Sequence, residues 1–591
     1  MLIADVRDRL AAGKPIRRTI EGGGRLHIDR PLPFLCVYRA PPQPDPGTAD
    51  LVRTQASYLI APAGFDPTEM IDAITSALAK QCGACLLLEL WAGDDAAMRI
   101  HVAEADRAAT TVDVLVTALG ALDLPGDTPR VTVSTTGPRL VTDEAGILSI
   151  GLQVPPIYRS ERAVYPFVAR VFSLELSHAL QRAFFEFARV QTPVPPEHFH
   201  VLGRRRTVQA VRDSDRALAE ISESFDFLLA VTPVNTDAAW QEFSASGCTR
   251  APALHYRMLE VDPALVKRRL YDLPLERLED PALAQLLHDK RRELDRQLSL
   301  LEDRDTPRFL YGSLQLYGGV EDELLAEALE ILAGVPPSAS PTAERCNAQT
   351  FVGRARAELA LYPGLAAQIL VREDLTSLLV SHGDMLVPAT LDVAAHRVEA
   401  LLQHELGTHV VTYANGSAQP LRVFAVGLAG YEALQEGLAT FAEFVVGGLD
   451  TSRLRLIAAR VVAVRRVIED LPFAKVVAEL TEQHGIPRRT AFGIAVRVFR
   501  GGGLTKDAIY LRGLQQTLSY LKRGGDLRPL LVGKIALEQV PIVEELIRRE
   551  VLVAPALVPR WLAAAGSEAR LARAAAGLRV IDLSSPKEAT A

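Results

Sequence analysis

At 591 residues the chain exceeds what one hydrophobic core supports, and two to four domains are expected. Its formal charge of −7, from 65 Lys plus Arg against 72 Asp plus Glu, excludes a globally basic partner for nucleic acid or an anionic membrane. Five cysteines in so long a chain make no disulfide framework, and reduced thiols in a cytoplasm are expected, in keeping with the lack of a signal-peptide apolar core over residues 1–15.

In chain order, residues 1–195 mix strand and helix signals. Pro33 to Ala40, Ser57 to Ala61, Ala84 to Trp91, Met98 to Val102 and Val131 to Ser134 predict strands, and Pro67 to Lys80 a helix. An α/β region is the simplest assembly. Cys82-Gly-Ala-Cys85 has no second pair and leads into an apolar run, so it reads as the start of a buried strand. Helical periodicity returns at Val164 to Val190, and the Pro-rich stretch from Gln191 marks a connector. Arg204-Arg205-Arg206 reads as solvated surface.

From about 205 onward helix dominates. Val208 to Val231, Pro263 to Asp272 and Pro281 to Asp303 are helical, with Arg and Glu at spacings that suit solvated i,i+4 pairs. Arg308 to Val320 reads as a strand or hairpin, Val335 to Thr342 as a loop and Ala343 to Tyr362 as a helix. Leu375 to Thr390 predicts a β-hairpin turning at His382-Gly383-Asp384, whose edge could pair with an extended peptide. The apolar window Val423 to Leu449 contains Glu432, Glu436 and Glu443, too many carboxylates for a membrane span. Ser452 to Asp470 and Arg489 to Arg500 predict further helices, Gly501-Gly502-Gly503 a flexible turn with Thr505 as an N-cap, and the end from Leu583 a frayed tail.

The chemistry concentrates in His404-Glu405-Leu406-Gly407-Thr408-His409, on a helix predicted over Leu391 to Tyr413 and ending at Asn415-Gly416. Two histidines and a carboxylate are the ligands and base of a catalytic zinc site, but the usual pattern is H-E-x-x-H. At about 100° per residue, five steps set the imidazoles about 140° apart on a regular helix. One π-type bulge around Leu406 to Thr408 realigns them, with Gly407 the least costly place for it. Glu405 then sits beside the zinc, to take a proton from the attacking water and pass it to the departing amine. Glu436 is assigned as third ligand, with Glu443 or Glu432 orienting a histidine. On the residues alone, a chance His-Glu-x-x-x-His with two satisfied helix histidines stands beside this reading.

The segments around His404 to His409, Asn415-Gly416, Gly427 to Ala439 and Arg500 to Gly513 together resemble the bacterial flavohemoglobin expression-modulating QEGLA motif family, related to microtubule-associated tyrosine carboxypeptidases. The resemblance covers about 205 to 560. It implies that His404, His409 and Glu436 bind Zn²⁺ and that Glu405 is the catalytic acid/base. An enzyme that trims a C-terminal residue also needs a cation for the terminal carboxylate, for which Lys506, Arg512 and Arg500 (with Arg497) are candidates, and Tyr510 is placed to donate to the developing oxyanion.

The expected fold class is α+β: an N-terminal α/β region over 1–195, a mainly helical zinc-metallopeptidase domain over 205–560 with a small hairpin before the HExxxH helix, and a C-terminal helix and tail over 561–591. The expected function is a cytoplasmic zinc carboxypeptidase acting on peptide or protein C-terminal tails, with no nucleic acid or membrane partner. A non-catalytic regulator that keeps the fold is the alternative.

Overall fold

A computed structural model describes residues 2–43, 45–126, 128–137, 139–140, 145–337, 344–373, 375 and 377–584. The fold is α+β, and its backbone forms two compact units. The first comprises Met1–Arg212, Pro274–Gln285 and Ile542–Leu552; the second comprises Asp213–Leu273, Leu286–Pro541 and Val553–Ala591.

The first unit is built on an eight-stranded sheet. Its strands are β1 (Ile16–Ile20), β2 (Gly24–Ile28), β3 (Phe34–Arg39), β4 (Ser57–Ala61), β5 (Cys85–Ala92), β6 (Met98–Val102), β7 (Val131–Ser134) and β8 (Ile147–Val154). They lie in the order β1-β2-β4-β3-β5-β8-β6-β7, with β4, β3, β5 and β8 mutually parallel. Strands covered on both faces read as unbroken apolar runs, and Cys85-Leu-Leu-Leu at the start of β5 is one. Phe34, Cys36 and Tyr38 of β3 enter the core formed with helix Pro166–Gln191. Leu35 and Val37 enter the opposite core, formed with helices Leu2–Ala11 and Thr68–Cys82. Arg204 departs from the expected solvated surface: it is 3% exposed, donating to the Arg53 carbonyl and pairing with Glu279 at 3.0 Å.

The second unit is mainly helical. Arg308 to Tyr317 is a helix and not the expected strand, because its buried residues Phe309, Ser313 and Tyr317 recur every four positions. The predicted hairpin is present: Leu379–Ser381 pairs antiparallel with Asp384–Pro388. His382 (φ 49°) and Gly383 (φ 86°) both adopt the left-handed backbone that a two-residue hairpin turn demands. Ile369–Arg372 adds a parallel strand to this small sheet. Upstream of the histidines, helix starts later than periodicity implied, at Val398, because Asp392–Ala394 pairs as a strand with Arg345–Asn347. That pairing also shortens the preceding helix, expected over Ala343 to Tyr362, to Ala348–Leu359, capped by Asn347. The expected loop over 338–342 and the tail beyond 584 lie outside the described residues.

Candidate metal centre

The backbone widens where the spacing of the histidines requires it. Val398–His404 is α-helical, Glu405–Val410 is π-helical, and Val411–Ser417 resumes the α-helix. The Thr408 hydroxyl donates to the Gln403 carbonyl, five residues back, at 2.9 Å. Gly407 serves close packing here and not a left-handed backbone: a Cβ would lie 2.4 Å from Gln403 Oε1 and 3.1 Å from the buried Trp561 ring. The helix ends at Ser417, one residue past the expected stop at Asn415-Gly416. The Asn415 side chain donates to the carbonyls of Leu531 and Leu557 and accepts from the Leu557 amide.

Glu436 lies on helix Tyr431–Val445, which meets helix Ile509–Lys522 backbone to backbone. A Cβ on Gly437 would fall 2.1 Å from the Gly513 carbonyl carbon, and one on Gly513 would fall 1.8 Å from the Ala433 oxygen. Only glycines permit this approach. It sets the Tyr510 hydroxyl 3.2 Å from Glu436 Oε1, to which it donates.

The result is convergence of three donor groups. Glu436 Oε2 lies 3.7 Å from His404 Nε2 and 4.0 Å from His409 Nε2, and the three ligand atoms all fall within 4.8 Å of one another. The two rings stand nearly perpendicular, their centroids 5.0 Å apart. His404 Nδ1 is 2.9 Å from Glu443 Oε1, which fixes the tautomer and leaves Nε2 facing Glu436. Glu443 is fully buried and is also held by Arg397 at 2.5 Å and Arg453 at 3.3 Å. Two imidazoles and one carboxylate, with a buried acceptor behind one imidazole, fit a Zn²⁺ ion.

The electrostatics follow from burial. Glu405 is pushed up to about 7, chiefly by desolvation, with Glu436 reinforcing the shift and His404 opposing it. Burial raises Glu443 and Glu436 too, but Arg453 and His404 overcome it at Glu443, and Lys506, His409 and His404 do so at Glu436. Both therefore fall below the usual carboxylate range. His409 drops to about 4 by burial, leaving its imidazole neutral, the state a metal ligand needs.

The other predicted residues divide. Lys506 is buried, with Nζ 3.4 Å from Glu432 Oε1 and 5.9 Å from the Tyr510 ring centroid. Arg500 donates to Thr232 Oγ1 at 3.0 Å. Arg512 donates to the Tyr317 carbonyl at 2.9 Å and pairs with Glu321. Arg497 forks onto Asp507 through bonds of 2.6 and 2.8 Å. Thr505 is not an N-cap, since its hydroxyl and amide bond Ser313. The three glycines before it form a packed turn, with the Phe309 ring closing over Gly501. Sequence reasoning missed Arg453 and Arg460, whose guanidinium carbons stand 5.9 and 4.9 Å from the Tyr510 ring centroid. Their seven-residue spacing, two turns on one helix face, was the available signal.

Peptide hydrolysis is the chemistry such a set of side chains serves, and comparison with known families agrees with it. The family model for microtubule-associated tyrosine carboxypeptidase matches residues 241–578, more than half of the chain. The chain belongs to that carboxypeptidase family. No curated protein matches it.

Proposed function

We propose that this protein is a zinc-dependent carboxypeptidase that trims C-terminal residues from exposed protein tails. The observation that carries the reading is the convergence of His404, His409 and Glu436 across a π-helical turn, with Glu405 beside them. Zinc held by those three residues would supply Lewis acidity toward the scissile carbonyl and ease deprotonation of water. Glu405 accepts the proton of the attacking water and returns it to the leaving amine. Glu443 holds the His404 ring in one tautomer throughout. The Tyr510 hydroxyl, which donates to Glu436 in this structure, is the group available to donate to the developing oxyanion. Lys506 is the favoured anchor for the substrate's terminal carboxylate, because its ammonium is buried beside Tyr510. The family's name makes a C-terminal tyrosine the first side chain to try. Work in the cytoplasm suits the five unpaired cysteines, and no helix among the described residues is long and apolar enough to cross a membrane.

The test compares the wild type with Glu405→Gln on a library of peptide C-termini, scored by mass spectrometry. We expect release of the terminal residue by the wild type, a kcat lower by about 10²–10⁴-fold in the variant, and equal zinc content in both. Equal turnover by the two removes Glu405 from the mechanism. Absence of cleavage by either makes the chain a regulator that keeps the fold.

A further inference from the structure

We infer that the first unit holds a second zinc ion, bound by His178, His200 and Glu545, which the peptidase reading neither uses nor requires. Glu545 Oε2 lies 2.7 Å from His178 Nε2 and 3.8 Å from His200 Nδ1, and one ligand atom from each of the three residues falls within 4.8 Å of the others. Ligands at about 2.0–2.1 Å from a tetrahedral zinc stand roughly 3.3 Å apart, so the three donors bracket the spacing an ion would impose.

The three come from elements far apart in the sequence. His178 is on helix Pro166–Gln191, His200 on the short 3-10 helix Phe199–Leu202, and Glu545 on helix Val540–Arg548. Each is held in place. Glu545 is almost fully buried, and its other oxygen, Oε1, accepts from Arg549 at 2.6 Å, which orients Oε2 toward the imidazoles. Arg549 is in turn fixed by Asp280 and by the Arg204 carbonyl. The backbone of His200 is pinned by its amide, which donates to His198 Nδ1 at 3.2 Å.

A plain His178–Glu545 hydrogen bond accounts for part of this arrangement but not for His200. Its Nδ1 is buried without a hydrogen-bond partner, and at 3.8 Å from Oε2 it is too far to form one. A buried ring nitrogen left so forfeits the hydrogen bond it had with water, whereas a metal ion uses the lone pair. Imidazole and carboxylate donors suit zinc. His178 keeps 26% of its side chain exposed, which leaves water access to a fourth coordination position. The ion would clip the long helix, the 3-10 turn and the Glu545 helix together.

The test is zinc stoichiometry of the full-length protein, loaded with zinc, gel-filtered and measured by inductively coupled plasma mass spectrometry, with circular dichroism as the fold control. The wild type is expected to carry two zinc ions per chain. His200→Ala, which removes a nitrogen that bonds nothing in the protein, is expected to carry one, as is His178→Gln. His404→Ala/His409→Ala should retain one, and adding His200→Ala to it should leave none. Cobalt loaded into that double variant should give the visible d–d bands of a four-coordinate site. Zinc lost entirely in His404→Ala/His409→Ala, or zinc content unchanged from the wild type in both His200→Ala and His178→Gln, overturns the assignment; a wild type whose single zinc survives His404→Ala/His409→Ala but not His200→Ala supports it and overturns only the peptidase reading.

Discussion

Glu443 is the residue on which the geometry of the histidine pair depends. Fully buried, it aligns His404 and is itself held by Arg397 and Arg453. Glu443→Gln preserves the shape and removes the charge, so zinc affinity should fall about 10–100-fold, read by competition with a chromophoric chelator. Asp507 is a second buried acid, 1% exposed, gripped by Arg497 and 3.6 Å from Arg460. Burial alone would raise its carboxyl, but Arg497 and Arg460 hold it well below the usual range. A depressed folded-state value adds stability above the unfolded carboxylate pKa near ~3.9, and that stability is lost as pH falls toward the folded value. Asp507→Asn should therefore cost most near neutrality and progressively less below about pH 4. Because Arg497 keeps 36% of its side chain exposed, the neutral-pH cost belongs at the low end of the about 3–5 kcal/mol range for broken buried pairs. Urea melts of both proteins at several pH values measure the difference.

Among the elements, the contact between helices Tyr431–Val445 and Ile509–Lys522 carries the site, because it joins Glu436 to Tyr510. Gly513→Ala would push a methyl group into the Ala433 carbonyl. Overpacking of this kind costs about 1–3 kcal/mol, and denaturant midpoints should fall accordingly, with weaker zinc retention because the Glu436 helix is displaced. This contact also shows what sequence conveys and what it withholds. Gly437 and Gly513 are visible as letters, but nothing local says that they face each other. The π turn was legible, since 100° per residue leaves the two imidazoles misaligned without it. The late start of the histidine helix was not, because the partner of Asp392–Ala394 is a strand some fifty positions upstream and competes with helical periodicity. Arg308–Tyr317 was misread because its aromatic and apolar residues suit either period, and burial alone decides. Arg500 and Arg512 were candidates for the substrate carboxylate by residue type alone; their engagement with Thr232 and with Tyr317 depends on the tertiary fold.

At the scale of the whole molecule, metal binding and folding are linked. A ligand that binds only the native state stabilises it by an amount that grows with occupancy, about 4 kcal/mol at a free concentration 1,000-fold above Kd. Removing zinc with a chelator should lower the melting temperature, and returning zinc alone should restore it, as followed by differential scanning calorimetry. His404→Ala/His409→Ala should lose part of that response. The α+β class and the strand-rich first region were readable from composition and periodicity, because strands covered on both faces announce themselves as apolar runs. The return of residues 274–285 and 542–552 to the first unit was not. Such long-range closure leaves no local pattern.

The π turn also acts as an indexing device. One inserted residue rotates everything downstream by about 100° relative to an uninterrupted helix, so the turn that brings His409 round to Glu436 also aims Asn415 at the backbone of Leu531 and Leu557. Shortening the motif to the common four-step spacing could keep both imidazoles on one side, yet it would turn Asn415 away from three hydrogen bonds. The extra residue is thus locked in from two directions, by the convergence of His404 and His409 on Glu436 and by the scaffold that holds Asn415.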